Sequence, residues 1–167
     1  IKRVEIFGGE PLFYRHAFES AVLRLFERIQ DLTVGVITNG TLIDERIMRT
    51  FESKPIWILL SLDGGKERHN EMRGGFEKIE PWIPRLAHQG RTTVAMQAAI
   101  IDDLYNNICA IWSLGLKRVY INIIENYGWY STEDVLKFEH EYEQIVVGML
   151  RGEGELTCAL KLHEMLK

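Results

Sequence analysis

The chain has 167 residues, 46% hydrophobic and 26% charged, which is ordinary globular composition and enough for one domain with a hydrophobic core. Its formal net charge of −4 and pI near 5.8 leave no basic footprint for nucleic acid, and no apolar run approaches the roughly 20 residues needed to cross a bilayer. Cys109 and Cys158 stand far apart in helical contexts, which argues against a disulfide framework or a metal quartet, and no signal peptide is visible, so the expectation is a cytoplasmic protein with no nucleic-acid or membrane partner.

Val4 and Ile6 alternate with Arg3 and Glu5, which predicts a half-buried strand, and the strand breaks into Gly8-Gly9-Glu10-Pro11. Paired glycines leave the peptide groups unfenced, so a ligand can hydrogen-bond to the backbone there, and Glu10 adds an acceptor suited to an ammonium group. Pro11 fits the first position of a helix, where its missing N–H costs little. The same run also reads as a tight strand-to-helix turn with nothing bound. Leu12 to Gln30 carries Leu12, Phe13, Phe18, Val22, Leu25, Phe26 and Ile29 at helical spacing. Thr33 to Thr38 is nearly continuous in apolar residues, as a strand buried on both faces would be, and Asn39-Gly40 stops it.

Asp44 to Phe51 reads as a short helix, and Ile56 to Leu62 as a third buried strand running into Ser61-Leu62-Asp63-Gly64-Gly65. Phe76 to His88 is helical in phase but holds Pro81 and Pro84, so the helix either starts near Pro81 or kinks there. Thr92 to Ile101 is a fourth strand, Leu104 to Leu114 a helix closed by Gly115, and Arg118 to Ile124 a fifth strand. Glu125, Tyr127, Trp129 and Tyr130 follow it, suited either to lining a peptide cleft or to an aromatic cover over the strand ends. Ser131-Thr132-Glu133-Asp134 caps a long helix that is interrupted at Gly152, with one more helical stretch expected after it.

Strands joined through helical segments imply parallel neighbours, since such crossovers are too long for hairpins, and the fold class is α/β. Periodicity leaves open whether the sheet closes, curls or stays open. In any of these versions ligands bind at the carboxyl ends of the strands, where a glutamate, a serine and an arginine fall in this sequence.

Gly8-Gly9-Glu10-Pro11 after one strand, Ile37-Thr38-Asn39-Gly40-Thr41 after the next, and Ser61-Leu62-Asp63-Gly64 followed by His69-Asn70 and Arg73 resemble the successive signatures of the radical S-adenosylmethionine (radical SAM) enzymes. The resemblance covers most of Arg3 to Arg73 and is nearest to the subgroup with an auxiliary-cluster extension, the peptide maturases and sulfatase-maturating enzymes. It implies a partial (β/α)6 TIM-like barrel of parallel strands without its first strand and cluster loop. Residues 1–125 would supply strands two to six of that core, and residues 126–167 its helical continuation.

By the same resemblance the cofactors are S-adenosyl-L-methionine and a [4Fe-4S] cluster. Gly8, Gly9 and Glu10 match the motif that holds the methionyl amino group. Ser61 and Arg73 match the serine and arginine that engage the ribose or the methionyl carboxylate, and arginine's planar fork suits a carboxylate. Ile124 stands roughly where the family packs an apolar residue against adenine. Read from the residues alone, Arg73 is a solvated loop charge and Ser61 a strand-end hydroxyl. The family's cluster needs a Cys-x-x-x-Cys-x-x-Cys triad, which this sequence lacks, so the ligands are expected elsewhere in a longer chain and no catalytic or metal-binding residue is assigned here. His69 is expected to fix its loop, and His16, His88, His140 and His163 to be structural.

The implied activity is generation of a 5′-deoxyadenosyl radical that abstracts hydrogen from a peptide or protein, with flavodoxin or ferredoxin as electron donor. Two alternatives come from other classes. One is a conventional α/β barrel enzyme of the aldolase or phosphate-ester type, using the glycine turn and helix start for an anion, which Glu10 would repel. The other is a non-catalytic module that kept the cofactor pocket and lost the cluster.

Overall fold

The computed structural model describes residues 3–124 and 130–157. Six strands form one sheet in the order β1 (Arg3–Ile6), β2 (Thr33–Thr38), β3 (Ile56–Ser61), β4 (Thr92–Ala98), β5 (Arg118–Ile123) and β6 (Glu155–Thr157). The pairs β1/β2, β2/β3 and β5/β6 are parallel. The α/β class with parallel strands is as the sequence implied. The chain divides into two compact units, residues 1–61 with 75–93, and residues 62–74 with 94–167.

In the first unit the chain leaves β1 through the glycines, makes a 3-10 turn at Pro11–Tyr14 and enters α1 (Arg15–Arg28). Leu12, Phe18 and Val22 are buried, and Phe18 meets Phe51 edge to face at 6.2 Å, seating α1 beside α2 (Glu45–Ser53). Asp44 caps α2 by accepting from the Ile47 N–H at 2.9 Å. Val34, Val36, Ile56, Ile58 and Leu60 are buried in the strands, and Thr38 pairs with Leu60 at their carboxyl ends. The proline-bearing segment is broken rather than started late. It runs as α4 (Phe76–Ile79), a 3-10 turn at Glu80–Trp82 and α5 (Ile83–His88), because Pro81 cannot extend an α-helical hydrogen-bond ladder through that turn.

In the second unit α3 (Lys66–Met72) follows the third strand's polar loop, an element without a sequence signal of its own. The unit's core includes Val94 and Met96 on β4, Ile108 and Trp112 on α6 (Leu104–Ser113), Val119 on β5, and Phe138 and Ile145 on α7 (Thr132–Leu150). Ser131 and Asp134 form the expected capping box on α7. Directly after Gly152 the expected helical stretch does not begin: Gly152 takes φ +77°, the chain reverses, and Glu155–Thr157 pairs with Arg118–Tyr120 as a strand, while the rest of that stretch, residues 158–167, lies outside the described residues. The pairing partner, invisible to a helical periodicity, decides Glu155–Thr157.

Candidate functional site

The polar residues gather at strand ends within each unit. In the first, β1 ends at Ile6, and Gly8 and Gly9 follow with φ of +101° and +56°, conformations a side chain disfavours. Both are exposed, with open space where a Cβ would stand. Their peptide groups are thus accessible, as the sequence implied.

Glu10 is where the turn is fastened. Its Oε1 accepts from the Leu12 N–H at 3.1 Å and from the Thr38 hydroxyl at 2.7 Å, and its Oε2 accepts from the Asn39 N–H at 2.9 Å. The end of β1 is therefore laced to the end of β2. An ionised carboxylate offers about four lone-pair positions, so one on Oε2 remains for an external donor among the described residues. Glu10 also takes the first-turn N–H that an anion at this helix start would need, which weighs against the phosphate-ester alternative. Thr38 passes the restraint on, since its Oγ1 accepts from the Gly40 N–H at 3.0 Å, and Asn39 Oδ1 accepts from the N–H and hydroxyl of Thr41 at 3.0 and 2.8 Å. Ser61, half-buried, ends β3 one residue beyond Leu60, the partner of Thr38.

In the second unit Asp63 is buried, with 1% of its side chain exposed, and both carboxylate oxygens are engaged by Arg73. Arg73 Nε donates to Oδ2, and Nη2 donates to Oδ1 at 3.3 Å, where the Gln97 N–H also donates at 2.8 Å. His69, also buried, closes the loop: its Nδ1 accepts from the Asp63 N–H at 3.4 Å, and its carbonyl accepts from the Arg73 N–H at 2.8 Å. This is the loop-fixing role expected of His69. Arg73 is not the freely solvated charge that its residue type alone suggested, for its side chain is 30% exposed and held on one edge. A guanidinium has five N–H donors, so among the described residues both on Nη1 and one on Nη2 remain for a ligand.

Ile124 follows β5, half-buried, and donates its N–H to the Ala98 carbonyl at 2.9 Å, the residue after Gln97. The Tyr130 hydroxyl donates to the Ile124 carbonyl at 3.3 Å. Glu125, Tyr127, Trp129, Cys158 and His163 lie outside the described residues. His16, His88 and His140 are exposed on their helices, and among the described residues no group of three or more His, Cys, Asp or Glu is placed to hold a metal ion. Asp63 and Thr38, which stand in the sequence motifs with no role of their own, are brought to the site by the hydrogen bonds they make.

The Radical SAM superfamily profile matches residues 1–98, more than half of the chain. Among solved structures, native anSMEcpe with bound AdoMet, an anaerobic sulfatase-maturating enzyme, aligns with a TM-score of 0.74 at 19% identity over 92% of this chain and 48% of that one. Native anSMEcpe with bound AdoMet and Cp18Cys peptide gives 0.71 at 18% identity, over 92% and 49%. The Kp18Cys peptide form gives 0.74 at 18%, again over 92% and 49%. At such identities the likeness is one of fold, and the chain spans about half the length of these structures. The fold is that of part of a TIM-like barrel of parallel strands. No curated protein matches the chain. No helix among the described residues is long and apolar enough to cross a membrane.

Proposed function

We propose, from the premise that this chain belongs to the radical SAM superfamily, that it binds and orients S-adenosylmethionine for a peptide-maturing enzyme of the auxiliary-cluster type acting in the cytoplasm. The observation that carries the reading is the Glu10 carboxylate, which fastens two open, positive-φ glycines to the end of β2 and keeps one acceptor position for an ammonium group. The exposed peptide groups of Gly8 and Gly9 and that lone pair suit a methionyl amino group. Arg73, with one edge still open, suits a carboxylate, the part that the resemblance gives it. Ser61 would serve the ribose and Ile124 the adenine face. Residues 1–125 would be the cofactor-binding core and 126–167 its continuation.

When bound, S-adenosylmethionine with a [4Fe-4S] cluster would supply the 5′-deoxyadenosyl radical that takes hydrogen from a peptide or protein, with a flavodoxin- or ferredoxin-like donor providing the electron. The part proposed for the described residues is binding and orientation of the cofactor. The two peptide-bound structures of similar fold support a peptide as substrate.

Equilibrium dialysis of S-adenosylmethionine against the full-length protein tests the reading. Retention of the cofactor, weakened about ten-fold by Arg73→Gln as one charge-assisted contact is lost, is the expected result. No retention by the wild-type protein would overturn it.

A further inference from the structure

We infer that Asp63 is a positioning residue for the cofactor: it grips one edge of Arg73 and so presents the other to the methionyl carboxylate. The inference rests on the reading that Arg73 takes that carboxylate, and it adds a residue with no assigned part in it.

A solvated arginine samples many rotamers, and a ligand that recruits it must order it first. Here that ordering is already done. Asp63 is itself held in place: the Gln97 N–H of β4 donates to Oδ1 at 2.8 Å, and the His69 ring accepts from its backbone N–H. Its two oxygens take Nε and Nη2 of Arg73, and the backbone of Arg73 is tied to His69 by the N–H to carbonyl bond at 2.8 Å. Asp63, His69 and Arg73 thus make a closed set in which both ends of the arginine are fixed. The two contacts occupy the Nε–Nη2 edge of the guanidinium plane and leave the Nη1–Nη2 edge, where one N–H of each nitrogen runs parallel, for a second carboxylate. A buried aspartate serving only its own loop would need just its charge satisfied. The edge-on grip adds a direction.

The test compares two ligands on the full-length protein, S-adenosylmethionine and its decarboxylated analogue, by equilibrium dialysis with Asp63→Asn, Arg73→Gln and the double variant. The asparagine amide keeps the volume and an acceptor for the Gln97 N–H while weakening the grip on Arg73. The expected result is that Asp63→Asn lowers affinity for S-adenosylmethionine about ten-fold, the scale of losing the pre-ordering of one rotamer-rich side chain, and leaves the analogue's affinity unchanged. In the Arg73→Gln background the second substitution should add nothing. Equal losses for both ligands, as from a loosened fold, or no loss for either, would overturn the inference while leaving cofactor binding intact. A wild-type protein that binds neither ligand would instead remove the reading beneath it.

Discussion

The hydroxyl of Thr38, at the end of β2, donates to Oε1 of Glu10, at the end of the turn after β1, across 2.7 Å and 28 residues of sequence. Thr38 is 2% exposed, so its hydroxyl has no water to fall back on. Thr38→Val would leave Glu10 short of a donor and the Gly40 N–H without its acceptor at 3.0 Å, at a cost of about 1–3 kcal/mol. Thr38→Ser keeps both bonds and should cost less. Urea titrations followed by tryptophan fluorescence would rank the variants, and equal midpoints for Val and Ser would show that the hydroxyl is not what holds the turn.

That bond also marks the limit of what the residues disclose by themselves. The strand Thr33–Thr38 is legible to its ends because a buried strand needs a continuous apolar run and Asn39-Gly40 cannot extend it. The glycine turn is legible because only glycine takes φ of +101° readily. Neither signal says that Glu10 will spend three acceptor positions on its own chain, for that depends on the register of β1 against β2. The grip of Asp63 on Arg73 is hidden for a related reason. The helix between them, Lys66–Met72, has His69 as its one buried residue and hence no apolar stripe to announce it. Family resemblance identified the arginine and the loop histidine, but packing alone supplied the aspartate.

His69 carries two of the bonds that shape that loop. Its Nδ1 must be unprotonated to accept from the Asp63 N–H. His69→Ala leaves that buried N–H without an acceptor and opens a cavity, whereas Asn can place its carbonyl oxygen near the position of Nδ1. A loss of about 2–3 kcal/mol is expected for Ala, partly recovered by Asn. Amide hydrogen exchange at Asp63 is the direct measurement, with protection falling in the Ala variant and returning in the Asn variant. Unchanged protection in both would show the ring bond to be dispensable.

Acid stability of the first unit should depend on Arg85. Its Nη1 donates to Glu45 at 2.7 Å, and its Nε and Nη2 donate to Glu52 at 2.9 and 2.7 Å. The hydrogen bonds from Arg85 hold both carboxyls below their usual 4.5. A carboxyl with a lowered folded value binds fewer protons folded than unfolded, so its contribution is present above the unfolded value and fades as pH falls through the folded one. The three side chains are solvent-accessible, so the effect is modest and is screened by salt. Unfolding midpoints taken from about pH 5 down to about pH 3 should fall less steeply for Arg85→Ala than for the wild type. Parallel slopes would remove Arg85 from the account.

Gly154 should tolerate no side chain. A Cβ added there would overlap the indole of Trp112, which is buried at 3% exposure, and one added at Gly148 would come within 2.9 Å of the same ring. Both glycines pack on Trp112, one from α7 and one from the approach to β6. Gly154→Ala is therefore expected to cost about 1–3 kcal/mol as an overpacked core. Gly152→Ala is the control: its φ of +77° disfavours a side chain, but nothing lies within 4 Å of the new atom, so the cost is the backbone's alone, about 1–2 kcal/mol. Thermal unfolding separates the two, and near-ultraviolet circular dichroism reads the indole environment, which Gly154→Ala should disturb and Gly152→Ala should leave alone. A native-like tryptophan signal in Gly154→Ala would mean that the chain before β6 shifts without moving the ring, and the packing argument for Trp112 would fall.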